Sequence, residues 1–421
     1  LGSVGAGAAA WGDFNNDGWV DLYTGILWKN NRGKFTQVSF PGSDSGIWGD
    51  YDNDGFLDLY TWGSGSFHIY RNINGRSFAD VTSMLPHDQL VSLIPYSRGA
   101  TWGDFNGDGY LDLYIGGYES PYHPDVILTN SKAERFNITW RQSGDIDPAR
   151  GITASDYDED GDLDIYVSNY RLEQNQLWRN DGGTGRLTNV AGPAGVAGDG
   201  DGGYGHTIGS AWGDLDNDGH FDLLAGNFSH PPAGQDRPKF YRNRGPAGGY
   251  RFEDRSGKVD LDWQESFASP SLADYDNDGD LDFFISTVYA GDHSVLYRND
   301  GNWNFSDVTS QTSISSAVTY QSTWADYDND GDMDLLTGGK LYRNNIGSNN
   351  NWLKVRLEGG GTVNRAAIGA QVRIKVGSKT MSRQVEGATG EGNQNDLTLH
   401  FGLGNHRNSV DVEVMWPGGA K

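Results

Sequence analysis

A nine-residue pattern rich in carboxylates, D-x-[DN]-x-D-G-x-x-D, occurs seven times in this sequence of 421 residues. Calcium is a hard cation that takes six to eight oxygen ligands, often from alternating positions of one tight loop. In each copy, positions 1, 3, 5 and 9 offer side-chain oxygens and position 7 offers a backbone carbonyl, while the glycine at position 6 permits a sharp turn. We therefore predict a calcium site in every copy, about seven in all.

The seven copies are named Asp loops 1 to 7 in chain order. Their predicted metal ligands are Asp13, Asn15, Asp17, Trp19 and Asp21; Asp50, Asp52, Asp54, Phe56 and Asp58; Asp104, Asn106, Asp108, Tyr110 and Asp112; Asp156, Asp158, Asp160, Asp162 and Asp164; Asp214, Asp216, Asp218, His220 and Asp222; Asp274, Asp276, Asp278, Asp280 and Asp282; and Asp326, Asp328, Asp330, Asp332 and Asp334. Without a cation, the crowded carboxylates of each loop would repel one another and raise their own pKa values. Magnesium fits less well, because it demands a rigid octahedron and keeps several waters.

The composition excludes several classes of partner and cofactor. The formal charge of -25 argues against nucleic acid, which needs a Lys and Arg surface, and seven Ca²⁺ ions with 14 positive charges would bring it to -11. The absence of cysteine excludes disulfides and thiolate-bound zinc. No apolar run approaches the roughly 18 residues of a membrane span, and the sequence begins at Leu1 without an initiator Met or a signal-like segment, so we expect a processed or trimmed chain.

Apolar and aromatic runs bounded by turn residues recur around each Asp loop. A segment ending in Trp-Gly-Asp or a variant precedes the loop, and a strand such as Asp112-Leu-Tyr-Ile follows it. Two further runs are exemplified by Leu296-Tyr-Arg-Asn and Phe305-Ser-Asp-Val-Thr. Each unit of roughly 50 residues therefore reads as four antiparallel strands, which make one propeller blade. Since single blades cannot bury both faces, we predict an all-β, seven-bladed β-propeller over residues 1–348.

Tryptophan stands two residues before the Asp loop in five units. These residues are Trp11, Trp48, Trp102, Trp212 and Trp324, and Ala154 and Leu272 take the same position in the other two. They could form a ring of ligand-stacking aromatics near the channel, or they could pack between neighbouring blades. Repeated aromatics in propellers usually mark the blade core, which favours packing.

The units Trp-Gly-Asp-[Phe/Tyr]-[Asn/Asp]-x-Asp-Gly resemble FG-GAP or VCBS repeats, which implies the seven-bladed fold of integrin α heads, some fungal lectins and many secreted bacterial proteins. The tail is similar to the ASPIC/UnbV domain in Asn351-Trp-Leu-Lys-Val-Arg-Leu, Asn364-Arg-Ala-Ala-Ile-Gly-Ala, His400-Phe-Gly-Leu-Gly and Trp416-Pro-Gly. The combination resembles the family of cartilage acidic protein and its bacterial relatives. That family usually places a strand before the first Trp-Gly-Asp, so we expect ring closure to use another segment, the one after Arg343.

The tail, residues 349–421, alternates apolar and polar residues in four short stretches. These stretches are residues 353–357, 370–376, 397–401 and 410–414. Alternation of this kind predicts half-buried strands, and we expect a small β-sandwich domain that is incomplete in this chain. Its Phe-Gly-Leu-Gly segment reads as a structural turn rather than a binding site.

Long connections of variable length are predicted at the end of the propeller opposite the Asp loops, because consecutive connections of an antiparallel blade alternate between its two ends. Variable loops on a rigid scaffold are the usual seat of function, although tolerated insertions look the same. These connections also carry Tyr118 and Tyr170. The predicted ligand-binding residues are Tyr122, His123, His206, His230, Tyr289 and His293.

These features lead to one favoured function and two alternatives. The first is a secreted, periplasmic or cell-surface calcium-binding propeller that acts as a binding or adhesion module for a carbohydrate or an extracellular partner. The second is an enzyme, a polysaccharide lyase or a cyclase-like catalyst of natural-product assembly, that uses His and Tyr of the loops for proton transfer. The third is a structural matrix protein. Because no nucleophile elbow, His-Glu-x-x-His or phosphate-cradling glycine motif is present, we favour binding over catalysis.

Overall fold

The computed structural model describes residues 4–5, 7–42, 45–119, 121–144, 146–183, 185–198, 204–230, 236–314, 318–346 and 350–421. This part of the chain consists mostly of strands and turns, which confirms the predicted all-β class. Its α-helices are the short segments His87–Leu93 and Ala191–Ala194. Its 3-10 helices are Thr82–Met84, Pro246–Gly248, Ser256–Lys258 and Thr309–Gln311.

Seven antiparallel sheets follow one another along the chain, and each contains one Asp loop between its first and second strands. Sheets 1 to 6 have four strands, paired in chain order as predicted. In order, the strands of these six sheets and of the three-stranded sheet 7 are Ala10–Gly12, Asp21–Tyr23, Leu27–Asn30 and Phe35–Val38; Ser45–Gly49, Asp58–Gly63, Ser66–Ile73 and Ser77–Asp80; Ala100–Gly103, Asp112–Ile115, Val126–Asn130 and Phe136–Arg141; Ala149–Ser155, Asp164–Asn169, Gln176–Asn180 and Leu187–Asn189; His206–Gly213, Asp222–Phe228, Lys239–Asn243 and Phe252–Asp254; Phe267–Ala273, Asp282–Thr287, Val295–Asn299 and Phe305–Asp307; and Thr323–Ala325, Asp334–Thr337 and Lys340–Tyr342.

The seven sheets form a closed ring. The first strand of each sheet contacts the first strand of the next, and the first strand of sheet 7 contacts that of sheet 1. The first strands therefore surround a common axis, which is a propeller-like arrangement. Because every Asp loop leaves the same end of a first strand, all seven lie at one end of the ring, the Asp-loop end. The opposite end is called the open end.

The repeated tryptophans pack between neighbouring sheets. All five are buried, with at most 4% of their surface exposed. The indole N–H of Trp48 donates to the carbonyl oxygen of Ala10 in sheet 1 at 3.3 Å, and that of Trp324 donates to Ser271 Oγ in sheet 6 at 2.9 Å. The packing interpretation is therefore confirmed, and these rings are not available to a ligand.

An asparagine at the end of the third strand links each sheet to the preceding one. Its side-chain amide donates to the backbone carbonyl of position 2 in the Asp loop of the preceding sheet, and this bond recurs around the whole ring. The donor and acceptor pairs are Asn30 and Tyr327, Asn72 and Phe14, Asn130 and Tyr51, Asn180 and Phe105, Asn243 and Tyr157, Asn299 and Leu215, and Asn344 and Tyr275, at 2.6 to 3.0 Å. The repeated Leu-Tyr-Arg-Asn motif is thus an inter-sheet clasp.

Replacement of Asn30 by alanine is expected to destabilise the protein by at least about 2 kcal/mol, because it removes a hydrogen bond between sheet 1 and sheet 7. Asn30 is fully buried, and its loss would leave the carbonyls of Val20 and Tyr327 without their donor. Urea unfolding measures the change. Asn31→Ala is the matched control, since the hydrogen bonds of Asn31 are exposed and its loss should cost under about 0.5 kcal/mol. Equal effects would contradict the clasp.

Closure of the ring differs from the sequence expectation. Residues 343–346 form no strand, and residues 347–349 lie outside the described residues, so the expected closing strand after Arg343 is not seen. Instead, the N-terminal segment bonds directly to sheet 7. The N–H of Val4 donates to the carbonyl of Gly339 at 3.0 Å, and the side-chain amide of Gln321 donates to the carbonyl of Gly7 at 2.6 Å.

The C-terminal segment, residues 350–421, contributes two further small sheets. Its strands are Asn351–Val355, Gln371–Val376, Lys379–Gln384, Leu399–Gly404 and Val412–Met415. The first pairs with the fourth, and the second pairs with the third and the fifth. Residues 379–384 were not predicted as a strand, because their sequence shows no apolar alternation. Apolar side chains such as Val372 and Phe401 share one buried core with Trp102 of sheet 3, so the segment is packed against the ring.

Candidate functional site

The Asp loops share one backbone conformation. In every loop the position-1 carboxylate accepts the N–H of position 5 on one oxygen and the N–H of the position-6 glycine on the other, at 2.7 to 3.1 Å. All seven glycines have a φ between +83° and +98°, which any side chain would strain. The pattern therefore folds into the same tight turn each time.

The position-9 aspartate anchors each loop to its sheet. Its Oδ1 accepts the backbone N–H of the clasp asparagine in all seven sheets, at 2.7 to 2.9 Å. These seven carboxylates are completely buried. A charge held in this position needs further compensation, because burial disfavours the ionised form.

Carboxylate oxygens converge in five loops closely enough to hold a metal ion. In these loops, three carboxylates each offer one oxygen within 4.8 Å of the other two. The groups are Asp50, Asp52 and Asp58; Asp156, Asp158 and Asp164; Asp214, Asp216 and Asp218; Asp274, Asp276 and Asp282; and Asp326, Asp328 and Asp334. Loops 1 and 3 have Asn15 and Asn106 at position 3, which offer an amide oxygen in place of a carboxylate.

Two observations indicate that these oxygens fit a cation. One oxygen of Asp158, Asp216, Asp276 and Asp328, all at position 3, is buried with no hydrogen-bond partner. In loop 2, Asp52 Oδ1 accepts the backbone N–H of Asp54 at 3.3 Å, and Asp52 Oδ2 lies 2.6 Å from Nε of Arg71. Burial, with smaller contributions from the neighbouring loop carboxylates, raises the pKa of Asp156 to about 8 and that of Asp50 to about 7. A divalent ion would satisfy the free oxygens and offset the repulsion.

The C-terminal segment covers the Asp-loop end, which the sequence did not predict. Lys354 Nζ lies 2.8 Å from Asp326 Oδ2. The backbone N–H of Ser382 donates to Asp214 Oδ2 at 3.1 Å, and the N–H of Gly402 donates to Asp274 Oδ2 at 2.9 Å. The position-1 carboxylates thus hold both their own loop and the segment above it. A pocket of about 540 Å³ remains at this end, between Asp loops 1, 2 and 7 and the C-terminal segment.

Residues 386–396 of the same segment, the axial segment, lie inside the ring of first strands. The N–H of Trp11 donates to the carbonyl of Gln394 at 3.2 Å, and the N–H of Trp48 donates to its side-chain oxygen at 2.7 Å. The N–H of Gly390 donates to the carbonyl of Ser210 at 2.8 Å. Further hydrogen bonds reach the first strands of sheets 4, 6 and 7. The axial segment therefore fills the centre of the ring.

Glu391 lies where the axial segment reaches the open end, and its carboxylate belongs to a network of charged side chains. Arg150 Nη1 lies 3.1 Å from Glu391 Oε1, and Arg150 Nη2 lies 3.4 Å from Glu119 Oε1. Glu119 also pairs with Arg171. The Arg150 guanidinium lies 4.7 Å from the ring centre of Tyr170. Sequence reasoning missed the charged residues, whose partners are as much as 241 residues apart.

Three of the six predicted ligand-binding residues come together at the open end. His206, His230 and Tyr289 join Tyr170 and Phe228 in an aromatic cluster contributed by sheets 4, 5 and 6. The ring of His206 lies 4.7 Å from that of Tyr170 and 4.5 Å from that of His230, and Tyr289 lies 5.3 Å from Phe228. Burial, with a smaller contribution from His230, lowers the pKa of His206 to about 4, so it is neutral at pH 7.

The other three predicted residues lie in loops around this cluster. Tyr122 is 41% exposed, and its hydroxyl donates to Glu173 at 3.3 Å. His123 donates its backbone N–H to the carbonyl of Tyr118 in the same loop, and His293 donates its backbone N–H to Oε1 of Gln264, in the connection that precedes sheet 6. Among the described residues, these three side chains make no ring contact with the aromatic cluster.

A pocket of about 650 Å³ opens on the axis beside the aromatic cluster. Its lining includes Trp62 of sheet 2, Tyr96 and Arg98 from the approach to sheet 3, Tyr320 from the approach to sheet 7, and Glu391 of the axial segment. Tyr320 also packs against the aromatic cluster, so pocket and cluster are continuous. The open end thus combines half-buried aromatic rings with charged groups. Such a surface can bind a polar ligand that also presents apolar faces.

Comparison with known families agrees with these repeats. A family model described as FG-GAP-like repeat matches residues 50–115, 156–225 and 274–337. A second model, described as ASPIC and UnbV, matches residues 360–421. The chain is an FG-GAP-like repeat protein with an ASPIC and UnbV domain. The resemblance inferred from the Trp-Gly-Asp units and from the tail is therefore confirmed.

Relatives of this FG-GAP-like protein include cartilage acidic protein 1. The mouse protein is 28% identical over 360 residues, which cover 76% of this chain and 52% of the relative. The human protein is 28% identical over 297 residues, which cover 64% of this chain and 41% of the relative. The chain thus spans about half the length of the curated relatives it matches.

Solved structures of similar shape include two fungal lectins. An Agrocybe aegerita lectin that recognises non-reducing terminal N-acetylglucosamine gives a TM-score of 0.44 at 16% identity, over 71% of this chain and 79% of that one. Aleuria aurantia lectin, in complex with α-methyl-L-fucoside, gives a TM-score of 0.38 at 8% identity, over 72% of this chain and 94% of that one.

In the described part of the chain, no helix is both long enough and apolar enough to cross a membrane.

Proposed function

We propose that this protein is a secreted or cell-surface, seven-bladed β-propeller, stabilised by about seven Ca²⁺ ions, that binds a carbohydrate or an extracellular partner at its open end. The proposal separates two roles. The Asp loops hold the scaffold together, and the open end provides recognition. The observation that carries the second role is the half-buried aromatic cluster next to the axial pocket.

Calcium is supported by the chemistry of the loops. They offer only oxygen ligands, and several of these oxygens are buried without a hydrogen-bond partner. Flexible, multidentate cages of carboxylates and carbonyls suit Ca²⁺ better than Mg²⁺, and cysteine is absent. Extracellular calcium is abundant enough to fill weak sites, which supports a location outside the cytosol.

Recognition at the open end is supported by accessibility. The C-terminal segment lies over the Asp loops, whereas the pocket and the aromatic cluster are reached from the opposite end. His206 and Tyr289 offer polar atoms at the edge of apolar rings, a combination suited to sugar rings and to peptide side chains. We therefore expect the ligand to contact sheets 4, 5 and 6 as well as the axis.

Replacement of His230 and Tyr289 by alanine is expected to weaken ligand binding by at least about 10-fold, because both rings are partly exposed members of the aromatic cluster. A glycan array on the calcium-loaded protein would first identify a bound sugar, and titration calorimetry would then compare the variants. Calcium content and thermal midpoint should change little, because loop substitutions of this kind usually cost little stability.

Trp352→Ala provides a control, since this tryptophan is 41% exposed but belongs to the C-terminal segment at the other end. It should leave ligand affinity unchanged. If Trp352→Ala abolished binding while the His230 and Tyr289 variants bound normally, the ligand would bind at the Asp-loop end and not at the open end. If neither the glycan array nor a screen of extracellular proteins found a ligand, the result would favour the third alternative, a structural matrix protein.

A further inference from the structure

Arg98 presents an unsatisfied guanidinium to the axial pocket. The group lies over two rings, 5.2 Å from the centre of Tyr96 and 5.5 Å from that of Tyr118. Its Nε is buried without a hydrogen-bond partner. Within the described ranges, Arg98 makes no hydrogen bond and no ion pair through any of its nitrogens. A guanidinium carries five N–H donors, so an unused one in a pocket is a ready site for an acceptor.

The neighbouring arginines are already paired, which distinguishes Arg98 from them. Arg150 contacts both Glu119 and Glu391, and Arg171 contacts Glu119. Three guanidinium groups therefore share two carboxylates around this pocket, leaving one formal positive charge. Glu391 attracts Arg98 through space but does not reach hydrogen-bond distance. The local excess of charge and the free donors coincide at the same side chain.

The long-range field works against an anion, because the chain carries a net charge of -25. That field is screened within about 10 Å at 0.1 M salt, and the Asp loops lie at the opposite end of the ring. A two-bond contact between guanidinium and carboxylate is short-ranged and roughly twice as strong as a neutral hydrogen bond. Once a ligand is inside the pocket, its contact with the guanidinium therefore outweighs the long-range repulsion by the negative charge of the chain.

We propose that the axial pocket binds the carboxylate of an acidic sugar through Arg98. The planar fork of the guanidinium matches a carboxylate, and the half-buried rings of Tyr96 and Tyr320 offer apolar walls for the pyranose. The stacking on Tyr96 and Tyr118 fixes the fork, which lowers the entropy lost on binding. This inference rests on the proposed function and narrows its ligand to uronic acid units of a glycan.

Titration calorimetry on the calcium-loaded protein tests the inference with three oligosaccharides of equal length: glucuronic acid units, glucose units and sulfated glucose units. The glucuronic acid oligomer should bind at least about 10-fold more tightly than the glucose oligomer. Arg98→Gln should remove most of this difference, and Arg98→Lys should retain part of it, because lysine keeps the charge but not the fork. Arg298→Gln, which loses an exposed pair with Asp300 in sheet 6, is the matched control and should bind as the wild type does.

Each other outcome has a definite meaning. Equal binding of glucose and glucuronic acid oligomers, unaffected by Arg98→Gln, would overturn the inference and leave carbohydrate binding intact. Preference for the sulfated oligomer would overturn the carboxylate assignment. Binding to none of these oligomers would overturn it too, while a different sugar bound through Tyr289 would still support the proposed function. If Arg98→Gln failed to fold, the wild-type comparison of the glucose and glucuronic acid oligomers would decide the question.

Discussion

Chelation of calcium is expected to lower the thermal midpoint by roughly 3 to 11 °C. If the sites have dissociation constants of about 10⁻⁴ to 10⁻³ M, millimolar calcium stabilises each by about 0.4 to 1.4 kcal/mol. Seven sites then contribute roughly 3 to 10 kcal/mol, which matches the net stability of many domains. Without the ion, buried carboxylates such as Asp164 and Asp222 would remain close to other loop carboxylates.

Scanning calorimetry with about 1 mM calcium and with excess chelator measures this effect, and metal analysis of the chelated sample confirms that the ions have left. A return of the midpoint on addition of calcium, but not of magnesium, is the expected control. An unchanged midpoint in protein shown to be free of metal would contradict the proposed role of the loops.

Replacement of Arg150 by methionine is expected to destabilise the protein by about 3 to 5 kcal/mol. Arg150 is the guanidinium that lies against Glu391 at the end of the axial segment, and both side chains are almost completely buried. Removal of one member of a buried ion pair leaves the other charge uncompensated. Because Glu391 is held by the axial segment, the effect should appear in the whole ring, as a lower urea midpoint with a single transition.

Glu391→Gln combined with Arg150→Met should recover part of the loss, because the unpaired charge is then gone. The pH dependence has a defined sign. Burial raises the pKa of Glu391, and loss of Arg150 raises it further, so the folded variant binds a proton more readily than its unfolded state does. Relative to wild type, the variant should therefore lose less stability at pH 5 than at pH 8. A loss independent of pH and of Glu391→Gln would indicate a packing defect.

The sequence predicted those parts of the fold that repeat locally. Each Asp loop is specified by nine consecutive residues, including the glycine whose φ is positive, and each sheet follows from strands that are neighbours in the chain. The clasp was visible as a repeated Leu-Tyr-Arg-Asn motif, but its role was not assigned. A motif reveals that a residue recurs, whereas its partner lies in the preceding sheet, 58 residues away for Asn72 and Phe14.

The axial segment and the charged network could not be predicted in the same way. Gln394 and Trp48 are 346 residues apart, and no repeat relates them. Glycines at 387, 390 and 392 were a possible signal, since a Cβ at Gly387 would lie 2.1 Å from the carbonyl oxygen of Trp102. Likewise, His206 and Tyr289 were chosen from loop length and residue type, whereas Arg98 was missed because a single arginine carries no pattern.

The calcium content of the purified protein tests the central claim most directly. Inductively coupled plasma mass spectrometry after dialysis against millimolar calcium and brief desalting should find about seven calcium ions per chain. Asp54→Ala should lower this number by about one, because each loop closes on its own carboxylates and sheets couple mainly to their neighbours. A folded protein with no bound calcium, or with a different metal at the same stoichiometry, would contradict the account.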